Sequence, residues 1–306
     1  MNSQMSRADW GIVLALALLW GGSFFFIGIA IRSVGPLTLV FLRVSLAAAF
    51  LWAWRIVCRQ RLGMPRKALG GLVVLALLNN VVPLILFAWA QRTIPSGLAS
   101  ILNATTPIWS VIVAHVLTRD EKATPAKIAG VLLGFSGVAV MIGADLLREI
   151  GVHFWAQLAC LAATLCYGFA GVFGRRFFAL GLSPATIATG QFSAAACVLL
   201  PLVLLFEPPW LATPPAAAAW AALIALALFS TALAYILFFR LLASAGVTNS
   251  LLVTFLVPIS AILLGTFFLG ERLEPRHFAG IALIGLGLAA IDGRLLRLAR
   301  FRPSLH

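Results

Sequence analysis

Very few side chains in this sequence could do covalent chemistry. The string Gly134-Phe135-Ser136-Gly137 has the spacing of a glycine-flanked serine nucleophile. Such a serine needs a base to take its proton, and no histidine is clearly placed to serve. Small residues at this spacing also let helices pack closely. Cys58, Cys160, Cys166 and Cys197 form no CxxC pair and fall in or beside apolar runs, so they read as small buried hydrophobes. There is no HExxH string, no GxxxxGK[ST] string and no metal-ligand cluster. No catalytic residue, metal or cofactor is expected, and neither ATP-driven pumping by this chain nor an ATPase subunit is implied.

What remains is binding chemistry. Polar groups sit inside apolar stretches, where each must find a partner: Asn79, Asn80, Asn103, Thr105, Thr106, Tyr167, Gln191, Ser230, Tyr235 and Thr254. Asn103 precedes Pro107 by one turn, and Thr254 precedes Pro258 by one turn. Trp20, Trp89, Trp109, Tyr167 and Tyr235 could line an aromatic cavity that stacks on rings or cations. Trp10, Trp52, Trp54, Trp155, Trp210 and Trp220 have the placement of an interfacial belt. Arg43 lies about seven residues into an apolar run, where a charge is costly and must face the interior or snorkel. It reads first as a structural group near the outer side and second as the receptor of a substrate carboxylate. No Asp or Glu lies deep in an apolar run, and proton relays use embedded titratable groups. His115 is the one candidate for proton coupling. The expected substrate cavity therefore contains Trp20, Asn80, Asn103, Trp109, Tyr167, Ser230, Tyr235 and Thr254.

The elements that must hold these residues are membrane helices. Of 306 residues 62% are hydrophobic and only 10% charged, and mean hydropathy is +1.06, so a polar skin cannot be made. Trp10 to Ile31 is an uncharged run long enough to cross about 30 Å of hydrocarbon. It is too long for a signal-peptide core and is expected to stay as the first span. Apolar runs at 10–31, 36–57, 68–91, 94–117, 124–143, 153–175, 184–206, 215–239, 245–269 and 275–292 are separated by proline and glycine signals such as Gly35-Pro36 and Glu274-Pro275. The short connections leave no room for a soluble catalytic domain.

The net charge of +13 does not point to nucleic acid, because the basic residues lie between apolar runs and form no stripe. They orient the chain and attract anionic lipid head groups. Most of the 22 Lys and Arg fall on the side of the N-terminus, which places both termini in the cytoplasm.

The chain also repeats itself. Thr124-Pro125 through Ala129-Gly130 to Gly137 aligns with Glu274-Pro275 through Ala279-Gly280 to Gly287. Pro107 aligns with Pro258, each followed by an acid, Glu121 or Glu271, and Leu19-Trp20-Gly21 aligns with Cys166-Tyr167-Gly168. Five spans per copy is an odd number, so the second copy must be inverted. Arg55, Arg59, Arg61, Arg66 and Lys67 follow the second span, whereas Glu207 follows the seventh with no basic residue. The expected architecture is an all-α integral membrane protein with ten transmembrane helices, as two inverted five-helix repeats at 1–147 and 148–306. The second repeat carries a short basic tail.

Leu19-Trp20-Gly21-Gly22-Ser23-Phe24, Phe41-Leu42-Arg43, Thr106-Pro107 through Glu121, Val257-Pro258 through Leu269-Gly270-Glu271 and the glycine-spaced fifth and tenth spans resemble the drug/metabolite transporter superfamily. The similarity is to its EamA-type ten-helix branch and covers residues 10–292. Gln191 stands near where Arg43 would repeat, so only Arg43 inherits the family's arginine. The resemblance implies a multi-pass inner-membrane carrier of small metabolites, such as amino acids or drug-like cations. Export by alternating access would proceed by facilitated diffusion or weak coupling, with Pro107 and Pro258 as hinges. The rival classes are an intramembrane enzyme built on Ser136 and an ion channel, though nothing resembles a selectivity filter.

Overall fold

The computed structural model describes residues 6–60, 63, 65–119, 124–142, 152–208, 214–238, 240, 241, 244 and 252–291. Arg61, Asp120, Glu121, Lys122, Asp145, Arg148, Glu149, Trp210, residues 245–251 and Asp292 with the arginines after it lie outside them.

The described residues are helical, and no strand occurs among them. In chain order the helices are α1 (Arg7–Ala30), α2 (Pro36–Val57), α3 (Leu69–Ala76), α4 (Val82–Ala90), α5 (Ser96–Asn103), α6 (Thr106–Leu117) and α7 (Pro125–Ile142). Then follow α8 (Val152–Ala179), α9 (Pro184–Phe206), α10 (Ala217–Ala227), α11 (Leu252–Leu269) and α12 (Pro275–Ile291). Proline occupies the first position of α2, α7, α9 and α12, where its missing N–H costs nothing. Among the described residues seven segments are long and apolar enough to cross a membrane: 7–30, 36–57, 66–90, 96–117, 153–179, 184–206 and 217–238. Shorter apolar helices cover Pro125–Val140 and Leu256–Leu269.

Two helices are interrupted by π turns that the apolar pattern does not reveal. Leu77–Val81 joins α3 to α4, and Leu228–Leu233 continues α10 into a helical stretch over 234–238. A π turn frees a backbone carbonyl and widens the helix. In the second one the Thr231 hydroxyl donates to Leu226 O at 2.8 Å, filling such a gap. The chain around Pro107 also breaks. α5 stops at Asn103 and α6 starts at Thr106, and the Thr106 hydroxyl donates to Asn103 O at 2.7 Å, the carbonyl that Pro107 leaves without its N–H. Pro258, by contrast, lies within the continuous α11.

Packing pairs helices from the two ends of the sequence: α7 against α12, α1 against α11 and α10, α2 against α9, and α8 against α4 and α6. The α7–α12 contact is reciprocal. A Cβ at Gly137 would lie 2.7 Å from Gly280 O, and one at Gly287 would lie 2.5 Å from Gly130 O. Glycine here permits backbone contact where any side chain would force the helices apart. Ser136, beside this seam, donates its hydroxyl back to Leu132 O at 2.9 Å.

Carboxylates tie helices together at one end of the bundle. Glu207, after α9, accepts from Leu37 N (3.2 Å) and Thr38 N (2.8 Å) at the start of α2. Glu271, after α11, accepts from Ser96 N and Ser96 Oγ (both 2.8 Å) and Gly97 N (3.2 Å) at the start of α5. Both satisfy orphan N–H groups and place negative charge at a helix N-terminus. At the opposite end Asp9 caps α1 through Ser6 and accepts from Ser244 Oγ at 2.6 Å.

Trp10, Trp52, Trp54, Trp155 and Trp220 are 41–55% exposed, on the outside of the bundle. Trp89, at 38%, joins them and does not line the interior. Of the cysteines, Cys160 is buried, but Cys58 and Cys197 are exposed, so burial is not their common property.

Candidate functional site

A cavity of about 370 Å³ lies among α1, α2, α4, α5, α6, α8, α9 and α11 and both π turns. Trp20, Asn80, Asn103, Tyr167, Tyr235 and Thr254 line it together. These come from helices far apart in sequence, gathered because each is the polar or aromatic member of an otherwise apolar run. Asn103 and Thr254 each sit one turn before a proline, and both face the cavity.

Two expected residues lie elsewhere. The Trp109 ring packs edge-on against Phe135 of α7 at 5.1 Å, and its backbone abuts Gly168 of α8. It is absent from the cavity lining. Ser230 is 1% exposed and also off the lining, toward Gly22 of α1. Its neighbour Thr231 faces the cavity instead, because the π turn rotates the helix face there. Pro107 and Pro258 do not line the cavity themselves; Thr106 and Val257 beside them do. His115 is exposed in the last turn of α6, away from the cavity.

The apolar wall is aromatic. Phe87 stacks on Tyr167 (centroids 6.3 Å, planes 22° apart), Trp20 meets Phe238 at 5.4 Å, and Phe192 meets Tyr235 edge-on at 5.1 Å. Phe24 and Phe87 make a further edge contact at 5.6 Å. Periodicity alone does not separate these phenylalanines from lipid-facing ones, since the apolar runs are hydrophobic all round.

The polar groups form two cross-links. Arg43 Nε donates to Thr231 Oγ1 at 3.0 Å, joining α2 to the second π turn. Asn79 Nδ2, in the first π turn, donates to Gln191 Oε1 of α9 at 3.1 Å and is 3.5 Å from the Tyr235 hydroxyl. Arg43 is only 7% exposed, and it is the one charged residue on the lining among the described residues. Asn80 is 2% exposed, and its Nδ2 has no hydrogen-bond partner among the described residues.

A second chamber of about 690 Å³ lies between the C-terminal end of α2 and the start of α9. Trp54, Arg55, Ser183, Thr189, Tyr235 and Arg240 contribute to it. Arg55 is 3% exposed and donates Nη1 to Thr186 Oγ1 at 3.1 Å. Tyr235 belongs to both linings and so stands between the two spaces.

A multi-helix bundle too apolar for water, with a mixed aromatic and amide cavity enclosed by helices from both ends of the chain, defines a membrane protein of the solute-handling kind. The sequence matches the EamA-like transporter family over residues 9–143 and again over 154–291, and the chain belongs to that family, within the drug/metabolite transporter superfamily. It is similar to the uncharacterized transporter YoaV of Bacillus subtilis (strain 168), at 23% identity over 90% of this chain and 94% of the relative. It is 24% identical to the uncharacterized inner membrane transporter YedA of Escherichia coli (strain K12), over 90% of this chain and 87% of the relative. A probable terminal-alkyne amino-acid exporter of Streptantibioticus cattleyicolor is 27% identical over 96% of both chains. One crystal structure superposes with a TM-score of 0.67 at 21% identity, over 95% of this chain and 100% of that one, a likeness of fold alone. The chain is a multi-pass protein of a bacterial-type inner membrane.

Proposed function

We propose that the protein is a secondary carrier that exports small amphipathic metabolites through the 370 Å³ cavity by alternating access. Its working form has ten spans in two inverted repeats, 1–147 and 148–306, with both termini cytoplasmic. The reciprocal contact of Gly137 with Gly280 and of Gly287 with Gly130 supports the repeats, since each pair exchanges under the 150-residue offset of the sequence. So does the second family match starting where the second repeat is expected. The π turns add to this: at an offset of 151, Asn79 and Asn80 in the first correspond in sequence to Ser230 and Thr231 in the second.

The observation that carries the reading is the cavity itself, which both repeats line and which paired rings and amides wall. A cavity of this size suits a solute of about amino-acid dimensions with a flat or apolar side. Rocking of one repeat against the other would open it alternately, with Pro107 and Pro258 beside the moving wall. Among the described residues the lining has no carboxylate, which agrees with facilitated or weakly coupled movement, and His115 lies off the lining.

Saturable uptake of labelled solute into liposomes holding the purified protein tests the carrier reading. Tyr167→Ala and Trp20→Ala should each reduce flux by about tenfold or more through lost stacking and shape, with the melting temperature near wild type. Single-channel currents without saturable flux would make it a channel.

A further inference from the structure

We infer that the cavity recognises its substrate by a carboxylate held on Arg43, so that the carried solutes are organic carboxylates with an apolar or aromatic side, and cationic solutes are excluded. This rests on the carrier reading above and narrows it.

Arg43 makes one hydrogen bond, from Nε to Thr231. That bond fixes the edge of the guanidinium and leaves the two Nη groups without a hydrogen-bond partner or counter-ion among the described residues. The side chain is 7% exposed and lines the cavity. A guanidinium does not shed its proton to escape such a site. A buried charge without a partner is costly, and the cost falls when an anion arrives. A carboxylate matches the planar fork in a bidentate pair. Tyr167 and Tyr235 supply the flanking rings, and Asn80 Nδ2, buried without a partner, supplies a further donor. Beside the guanidinium, the buried lining atom without a hydrogen-bond partner among the described residues, Asn80 Nδ2, is also a donor, as an anion requires.

The counter-charge for an ammonium is absent: no Asp or Glu lines the cavity among the described residues, and only neutral oxygens, the amide oxygens of Asn79, Asn80 and Asn103 included, face a cation there. The amino group of an amino acid is therefore tolerated rather than read, and an amine lacking a carboxylate meets Arg43 as a like charge. The route inward agrees. The second chamber, separated from the cavity by Tyr235, is lined by Arg55 and Arg240 and, among the described residues, by no acid.

The test uses matched triplets in proteoliposomes: phenylalanine, tryptophan and leucine, their deaminated carboxylic acids, and their decarboxylated amines. Acids and amino acids should be carried and compete with one another, while the amines neither move nor compete. Arg43→Gln should lower carboxylate flux at least about tenfold, and Arg43→Lys should raise KM about tenfold through loss of the bidentate fork. The melting temperature of Arg43→Gln without substrate should equal or exceed wild type, which a merely structural arginine would not permit. If that variant does not fold, competition by the amines on wild-type protein decides. Amines carried as well as amino acids, or Arg43→Gln moving acids at the wild-type rate, would overturn the inference and leave the carrier intact. No saturable flux of any triplet member would overturn the carrier reading and this inference with it.

Discussion

Glu271 offers the sharpest perturbation of the bundle end that it shares with Glu207. Its carboxylate takes three hydrogen bonds at the start of α5, two of them from backbone N–H groups of Ser96 and Gly97. Losing such a cap costs about 1–2 kcal/mol, and removing the charge from the helix N-terminus adds roughly 0.3–1 kcal/mol. Gly265 lies under the same carboxylate, since a Cβ there would run into it, so a water-filled replacement has little room. Glu271→Gln keeps part of the cap and should cost about 1 kcal/mol; Glu271→Ala should cost about 2 kcal/mol. If this contact closes that end of the cavity, the loss appears as a population shift, and 2 kcal/mol is about 30-fold in open over closed. Ser23→Cys, on the cavity lining of a protein freed of its native cysteines, reports it through labelling by an impermeant thiol reagent. Labelling from outside should rise about fivefold in Glu271→Gln and about 30-fold in Glu271→Ala. Unchanged labelling with a lowered melting temperature would refute the closure role and leave Glu271 a static cap.

The glycine seam predicts a contrast within one helix. Gly287→Ala should lower the melting temperature by a cost of about 1–3 kcal/mol, whereas Gly285→Ala, with nothing near its Cβ, should be neutral or gain up to about 1 kcal/mol in thermal unfolding. Trp109→Ala should lower stability through lost packing on Phe135 before it changes substrate KM, as differential scanning and flux on the same preparation would show. Asn79→Leu leaves the buried Gln191 oxygen without its donor and should cost about 1–3 kcal/mol. The Asn79→Leu, Gln191→Leu double variant should recover part of that in a melting-temperature cycle.

The spans were legible because a bilayer demands long apolar runs, and proline and glycine mark their ends. The expected 10–31 and 36–57 correspond to helices at 7–30 and 36–57. Less legible was what happens inside a span. The apolar pattern of Leu77-Leu78-Asn79-Asn80-Val81 and Leu228-Phe229-Ser230-Thr231 does not announce a π turn, and only the first has a proline after it, Pro83, which leaves the Asn79 carbonyl without its N–H. The turn decides that Thr231 and not Ser230 reaches the cavity. Trp109 lies off the cavity lining, and the sequence hides this for a related reason: a helix that is apolar all round does not disclose which face meets the protein and which the cavity. Asn103 and Thr254 lie on the lining one turn before a proline, where the missing N–H disturbs the helix. Thr106, which satisfies the freed carbonyl, was singled out only as one polar residue among several.

The two polar cross-links carry the remaining argument. Arg43 reaches the π turn of the far half, and Gln191 receives from the π turn of the near half. On the inverted repeat proposed above these are the same contact made twice, with glutamine where arginine would recur. Two arginines would have given a cavity symmetric in charge, with no preferred direction for a monoanion and a doubled desolvation cost. Glutamine keeps the link to Asn79 and removes the charge. A single guanidinium then gives the cavity one polar pole, with the rings of Phe87, Tyr167 and Trp20 along its walls. A solute with a carboxylate at one end and an apolar group at the other fits such a cavity in one orientation. On the proposed carrier reading the symmetry would serve the motion, and the departure from it at a single residue would serve recognition.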